Sequence, residues 1–338
     1  CSTGSRVRCR GGDAWGMGRD GFTEGEEQTV SNTLPEGLTV RPATLDDIES
    51  IHNLALAYDR ALYGDADKPL ANVRAVYSAP GLDLAEDTCL VFEQNGRLVG
   101  SMLLEQHLYA KFFVTVCILP DYDDLRLGSY LLSVAESRAR AQMVQAQPDA
   151  RVTMTGWVPS VDQAGLQSYG RADFQEVRRH WRMVIDLNET PTVPMWPEGV
   201  ELRPFVPERD THAVFEMVNT AFQDHWGYMS QNFEEFQHWT VRHADFDSSL
   251  WFVACEGEQI AGGSLCFALP QLGWVDTLAV LRPWRRLAGI ERRVPAHCTG
   301  GLPPAGSLFW GGKASPRSTA AIVTQRRFPP FIAVSYTH

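Results

Sequence analysis

At 338 residues and a formal net charge of −11, the chain is long enough for two ordinary domains. It is too acidic to favour nucleic acid or an anionic membrane through its overall field. With 44% hydrophobic and 21% charged residues it has a globular balance, and no run approaches the ~18 apolar residues of a membrane span.

Residues 1–36 are rich in Gly, Arg and Glu and lack the apolar core of a signal peptide. They read as a disordered or untranslated leader, with Met17 a candidate start. Beyond them the chain is written twice. Pro35-Glu36-Gly37-Leu38-Thr39-Val40-Arg41-Pro42 is matched by Pro197-Glu198-Gly199-Val200-Glu201-Leu202-Arg203-Pro204, at an offset of 162 residues. Val99-Gly100 with Ala261-Gly262, and Val116–Leu119 with Leu278–Leu281, keep the same offset. Three separated matches at one spacing define two copies of one domain.

In each copy a short strand (38–42; 200–205) leads into a helix. Thr44-x-x-Asp47 resembles a capping box, and Ile48, Ile51, Ala55, Tyr58 and Leu62 form its apolar stripe; Val214, Val218 and Phe222 do so in the second copy. A second helical region follows, then a hairpin (89–92 and 98–104, turning at Asn95-Gly96; 251–255 and 260–268, turning near Gly257) and a long apolar strand (112–119; 274–281). The first copy continues with a helix over 128–143, its inward side Leu131, Leu132, Ala135, Ala139 and Met143. A strand over 151–156, a short helix over 163–169 and a closing pair of strands over 174–187 complete it. Cys89, Cys117, Cys255 and Cys266 fall in apolar, strand-like runs and read as buried free thiols, the usage of a reducing cytoplasm. Pro191, Pro194 and Pro197 mark 189–197 as the linker. The domains are thus 37–188 and 198–286.

The second copy does not finish. Where the long helix should recur, at 293–305, stand Pro295, Gly300, Gly301, Pro303 and Pro304. Each Pro costs ~3 kcal/mol and each Gly ~1 kcal/mol in a helix interior. Residues 287–338 carry one acid, Glu291, and no periodicity. This tail reads as aberrant, out of frame or disordered.

Strand, hairpin, apolar strand, Pro turn, Gly-rich loop, helix, strand and short helix with Tyr: this order resembles the GCN5-related N-acetyltransferase (GNAT) superfamily, over 38–187 and 199–286. The fold class implied is α/β (α+β), two tandem domains each built on a mixed, mostly antiparallel sheet flanked by helices. The arrangement is similar to the mycothiol synthase type, in which the C-terminal copy catalyses. The resemblance implies acetyl-CoA as donor, the primary amine of a small molecule as acceptor, and no metal. It implies a bulged fourth strand splayed from the fifth, whose free N–H groups hold the pantetheine arm and stabilise an oxyanion. It also implies a small-residue loop and helix N-terminus for the pyrophosphate.

Carried onto this sequence, the cofactor-binding residues are Leu278, Ala279, Val280, Arg285, Arg286 and Gly289 in the second copy. In the first they are Cys117, Ile118, Leu119, Arg126, Leu127, Gly128 and Ser129. The first loop departs from the family pattern at Asp123 and Asp124, and the second at Ala288 and Ile290 or, shifted by one residue, at Glu291. Tyr169, in Tyr169-Gly-Arg-Ala-Asp173-Phe174, takes the place of the general acid, and a core tyrosine is the alternative. Asp276 is a candidate general base, or an ordinary strand carboxylate. The segment Asp224-His225-Trp226-Gly227-Tyr228 is expected at the acceptor pocket. His238 and His243 do not share a helix face as i,i+4 metal ligands would. Catalysis by the first copy alone, and a degenerate CoA-binding scaffold, stay open.

Overall fold

The computed structural model describes residues 33–66, 68–122, 125–182, 185–186, 197–225, 228–269, 272–285, 307–308 and 319–327. Arg286, Gly289 and residues 187–196, which take in the linker up to Trp196, lie outside them. Each copy begins with a strand, β1 (Leu38–Arg41) or β8 (Val200–Pro204), that an ion pair clamps to the helix after it. Arg41 forks onto Asp47 at 2.6 and 2.7 Å ahead of α1 (Ile48–Tyr63). Arg203 forks onto Asp210 at 2.7 and 3.0 Å in the first turns of α6 (Pro207–Phe222). The Thr44 N–H donates to Asp47 at 2.8 Å, the capping contact that the spacing predicts. Along α1 the inward residues are Ile48, Ile51 and Leu54, with Ala55 only half-buried; Leu54 lies on the core side because a helix advances 100° per residue. On α6 they are Val214, Met217 and Ala221, flanked by the half-buried Val218 and Phe222.

The first copy continues through α2 (Leu70–Tyr77), α3 (Leu84–Asp87), the hairpin β2 (Thr88–Glu93) and β3 (Leu98–His107), and β4 (Lys111–Ile118). Asn95-Gly96 makes the turn, Gly96 having φ +84°. α4 (Leu125–Gln142) buries Leu131, Leu132, Ala135 and Ala139 against the sheet, with Met143 just beyond its end. β5 (Thr153–Pro159), α5 (Gln163–Arg171), β6 (Gln175–Arg182) and the two-residue β7 (Ile185–Asp186) follow. The second copy holds α7 (Phe233–Trp239), the hairpin β9 (Phe252–Glu256) and β10 (Gln259–Leu269), β11 (Leu272–Val280) and α8 (Arg282–Arg285). Its core centres on the fully buried Trp251. Both copies belong to one compact unit, Asn32–His338.

Where the sequence predicts an irregular tail, two segments are strands: β12 (Ser307–Leu308) and β13 (Thr319–Arg327). β13 does not join the copy it follows. It lies between β5 and β6, antiparallel to both, in a seven-stranded sheet of order β1-β2-β3-β4-β5-β13-β6. The expected closing pair over 174–187 is therefore split: β6 is separated from β5 by β13, and β7 leaves for the other sheet. There β7 pairs with β12, giving the order β7-β12-β11-β10-β9-β8. The reason is edge satisfaction: β5 and β6 each present a row of ladder groups, and a strand between them pairs both.

Candidate active site

The fourth strands, β4 and β11, hold equivalent positions in the two sheets. Leu119 N–H donates to the Val99 carbonyl at 2.9 Å and Leu281 N–H to the Ala261 carbonyl at 2.9 Å. Hydrogen-bonded pairs alternate in an antiparallel ladder. The register then turns Cys117, Leu119, Ala279 and Leu281 toward the third strand, and leaves the backbone groups of Val116, Ile118, Leu278 and Val280 facing the opposite edge. These four are spaced by the repeat offset.

In the first copy that edge is closed by its own side chains. β4 and β5 pair in parallel only from Lys111–Thr153 to Val114–Gly156, then diverge. Tyr169 from α5 fills the divergence: its hydroxyl donates to the Val114 carbonyl at 3.0 Å and faces the Val116 N–H. Burial raises the phenol above its ordinary pKa. Gly156 makes this possible, since a Cβ there would stand 2.1 Å from the tyrosine ring. Tyr58 from α1 donates to Asp162 at 2.5 Å, and Asp162 also accepts from Gly165 N–H at 2.8 Å, so α1 is latched to the start of α5. About 40 Å³ remains between these groups. Leu127, Gly128 and Ser129 are buried in the first turn of α4, and Arg126 beside them is exposed. A Cβ at Gly128 would meet the Ser168 hydroxyl at 2.4 Å, so this glycine serves helix packing. Ser129 Oγ is buried without a hydrogen-bond partner among the described residues. Burial pushes the Cys117 thiol up to about 12.

The second copy differs at the same place. The register of β10 against β11 runs from Leu265–Thr277 to Cys266–Val275, so Asp276 is an extra, bulged residue. β3 and β4 keep unbroken register over the corresponding length. A bulge sharpens the twist and re-aims its side chain. Here the Cys266 carbonyl accepts from the Trp251 indole at 3.0 Å. The Asp276 carboxylate is exposed, accepting from Trp274 Nε1 at 3.2 Å and Thr277 Oγ1 at 3.0 Å. β11 pairs with β12 only at Leu272 and Gly273. Beyond, Leu278, Ala279, Val280 and Arg285 line a cavity of about 390 Å³ with the end of α6. Arg285 is tied down, donating to the Val280 carbonyl at 2.9 Å and to the Ala221 carbonyl, and lying 3.5 Å from Asp224. Arg282 forks onto Asp224, which holds that carboxyl below its ordinary pKa.

Two further cavities, about 470 and 330 Å³, lie between the copies. Tyr228 lines the larger and Asp276 the smaller; both share Trp239, and the larger also shares Phe222 with the cavity along β11. Leu278, Ala279, Val280 and Arg285 are thus brought together, while Tyr169 lies on α5 against the first sheet, in a different cavity from Asp276. His238 Nε2 is 2.7 Å from the Ala75 carbonyl, and His243 packs edge-on to Phe267. Among the described residues, no three His, Cys, Asp or Glu are grouped as a metal ion requires, and no helix is long and apolar enough to cross a membrane. Sequence reasoning missed Tyr58 and Asp162. An acid at a helix start was their only local signal.

No family model and no curated protein matches the chain. Among solved structures, it is similar to a GCN5-related N-acetyltransferase from Sphaerobacter thermophilus, at 25% identity and a TM-score of 0.71, over 90% of this chain and 100% of that one. A tandem GNAT protein from the clavulanic acid biosynthesis pathway, solved without AcCoA, is 14% identical with a TM-score of 0.61, over 86% of this chain and 98% of its own. A GCN5-related N-acetyltransferase from Kribbella flavida is 13% identical with a TM-score of 0.52, over 86% of this chain and 71% of its own. These last two speak to fold alone. Repeat, sheet order and these likenesses agree: the chain has the tandem GNAT fold and is similar to GNAT-type acyltransferases.

Proposed function

We propose that the chain transfers an acetyl group from acetyl-CoA to the primary amine of a small molecule, and that the second copy is the reacting one. The observation that carries this reading is the bulge at Asp276 beside the edge of Leu278 and Val280, which no strand among the described residues covers. The equivalent edge of the first copy is occupied by the Tyr169 hydroxyl.

Acetyl-CoA supplies the activated acyl group. The residues of this chain fit its pantetheine arm at β11, where outward-facing backbone groups line the larger space. Fixed N–H donors at Leu278 and Val280 are placed to stabilise negative charge developing on an acyl oxygen. The Asp276 carboxylate, held by Trp274 and Thr277, opens on a cavity between the copies and takes up the acceptor's proton. The first copy serves as support, with Tyr169 as a closing residue and its phenol proton engaged by Val114. Ser129 Oγ, near the start of α4 and without a hydrogen-bond partner among the described residues, is the feature that favours the rival reading of a phosphate site in the first copy.

Thiol release from acetyl-CoA, followed across a panel of small primary amines, tests the proposal. Asp276→Asn is expected to lower kcat/KM about 100-fold, while Tyr169→Phe changes it less than threefold. The reverse pattern would move catalysis to the first copy. Calorimetry showing no acetyl-CoA binding would leave only the scaffold reading.

A further inference from the structure

The larger cavity between the copies holds an acid that the fold does not use. Glu105 lies on β3 opposite Phe113 and reaches the cavity wall. Among the described residues its carboxylate makes no hydrogen bond and no ion pair. The other acids on this wall are engaged. Asp87 accepts from Arg138 at 2.8 Å, from Gln142 at 3.0 Å and from the Asp83 N–H at 3.0 Å. Glu235 accepts from the Asn232 N–H at 2.9 Å in the capping box of α7. Glu105 is half-buried, and this partial burial raises its carboxyl above the ordinary range. A partly desolvated carboxylate without a counter-charge weakens a fold; a cation placed beside it recovers that loss.

The remaining wall says what kind of cation. Phe113, Phe222 and Trp239 supply aromatic surface, and Leu82, Val218 and Met229 supply apolar surface. Aromatic faces attract organic cations, and a cavity of about 470 Å³ admits a small organic molecule rather than a macromolecule. Its position is also informative. Phe222 is common to this cavity and to the one along Leu278–Val280, and Thr277 in its wall sits next to the bulged Asp276.

We propose that the cavity between the copies takes an organic ammonium with an apolar or aromatic body, and that Glu105 of the first copy is the specificity-determining anion for it. That this ligand is the acetyl acceptor rests on the function proposed above; the binding itself does not. The first copy thereby acquires a role in the reaction of the second without carrying any of its chemistry.

Calorimetry on the full chain tests this with 2-phenylethylamine and 1,5-diaminopentane as ammonium probes, and 2-phenylethanol as the neutral control. Acetyl-CoA is titrated separately. In Glu105→Gln the ammonium affinity is expected to fall tenfold or more, with the alcohol and acetyl-CoA unchanged and the melting temperature equal or higher. Glu105→Met, of similar length and uncharged, repeats the test should the first variant fail to fold. Ammonium affinity within twofold of the parent, or no binding of either ammonium to the parent, would overturn the proposal. If acetyl-CoA does not bind the parent while ammonium binding depends on Glu105, the acetyl-transfer reading falls and the cavity assignment stands.

Discussion

Gly156 has no side chain, and the Tyr169 ring uses that space. An alanine Cβ would stand 2.1 Å from the ring, against a tyrosine that is buried and packed edge-on to Phe174. Gly156→Ala is therefore expected to destabilise the chain by roughly 2 kcal/mol or more, read as a lower urea midpoint at unchanged slope. Asp47 makes a prediction of a different kind. Hydrogen bonds from Arg41 hold its carboxyl down to about 2. Burial opposes the shift at Asp210, but the bonds from Arg203 and Arg209 also leave it well below its usual range. A depressed acid contributes stability that is present above its unfolded value of about 4 and lost as pH falls through the folded one. Urea midpoints are expected to stay level down to about pH 4.5 and to drop below it. The drop should be smaller in Asp47→Asn combined with Asp210→Asn.

Among the elements, those with a local signature could be read in advance. The hairpin at Asn95-Gly96, the apolar stripe of α4 and the two fourth strands were legible because turn chemistry and side-chain period act over a few residues. The clamp between each copy's first strand and first helix was not. Arg41 and Asp47 are six residues apart and Arg203 and Asp210 seven, so the pair breaks the repeat offset that exposed everything else. The resemblance implies a bulge in the fourth strand, but its place at Asp276 left no local trace, because bulging depends on the partner strand's register. That is why Asp276 reads equally well as a base or as an ordinary strand carboxylate until β10 is placed beside it. The clamp carries a prediction: Asp210→Asn should cost roughly 2 kcal/mol and loosen the start of α6, seen as faster amide exchange there than in α4.

At the scale of the whole molecule, chain halves and sheets do not coincide. β13 follows the second copy and completes the sheet of the first, seven of its residues pairing with β5. Its sequence held a sign, the β-branched run Ile322-Val323-Thr324, but the density of Pro and Gly around it reads as irregular chain. Its destination could not be read at all, since strand partners far apart in sequence share no local signal. A chain ending at residue 318 is expected to lose amide protection in β5 and β6 while β8, β9 and β10 keep theirs. Equal loss in both sheets would count against the exchange. The same placement bears on how the molecule is made. Thr153 leaves the ribosome long before its partner Arg327, by on the order of ten to thirty seconds at ordinary translation speeds. Through that interval the nascent first half carries two unpaired edges, so holding apart neighbouring unfinished chains becomes a task for the cell until the last strand arrives.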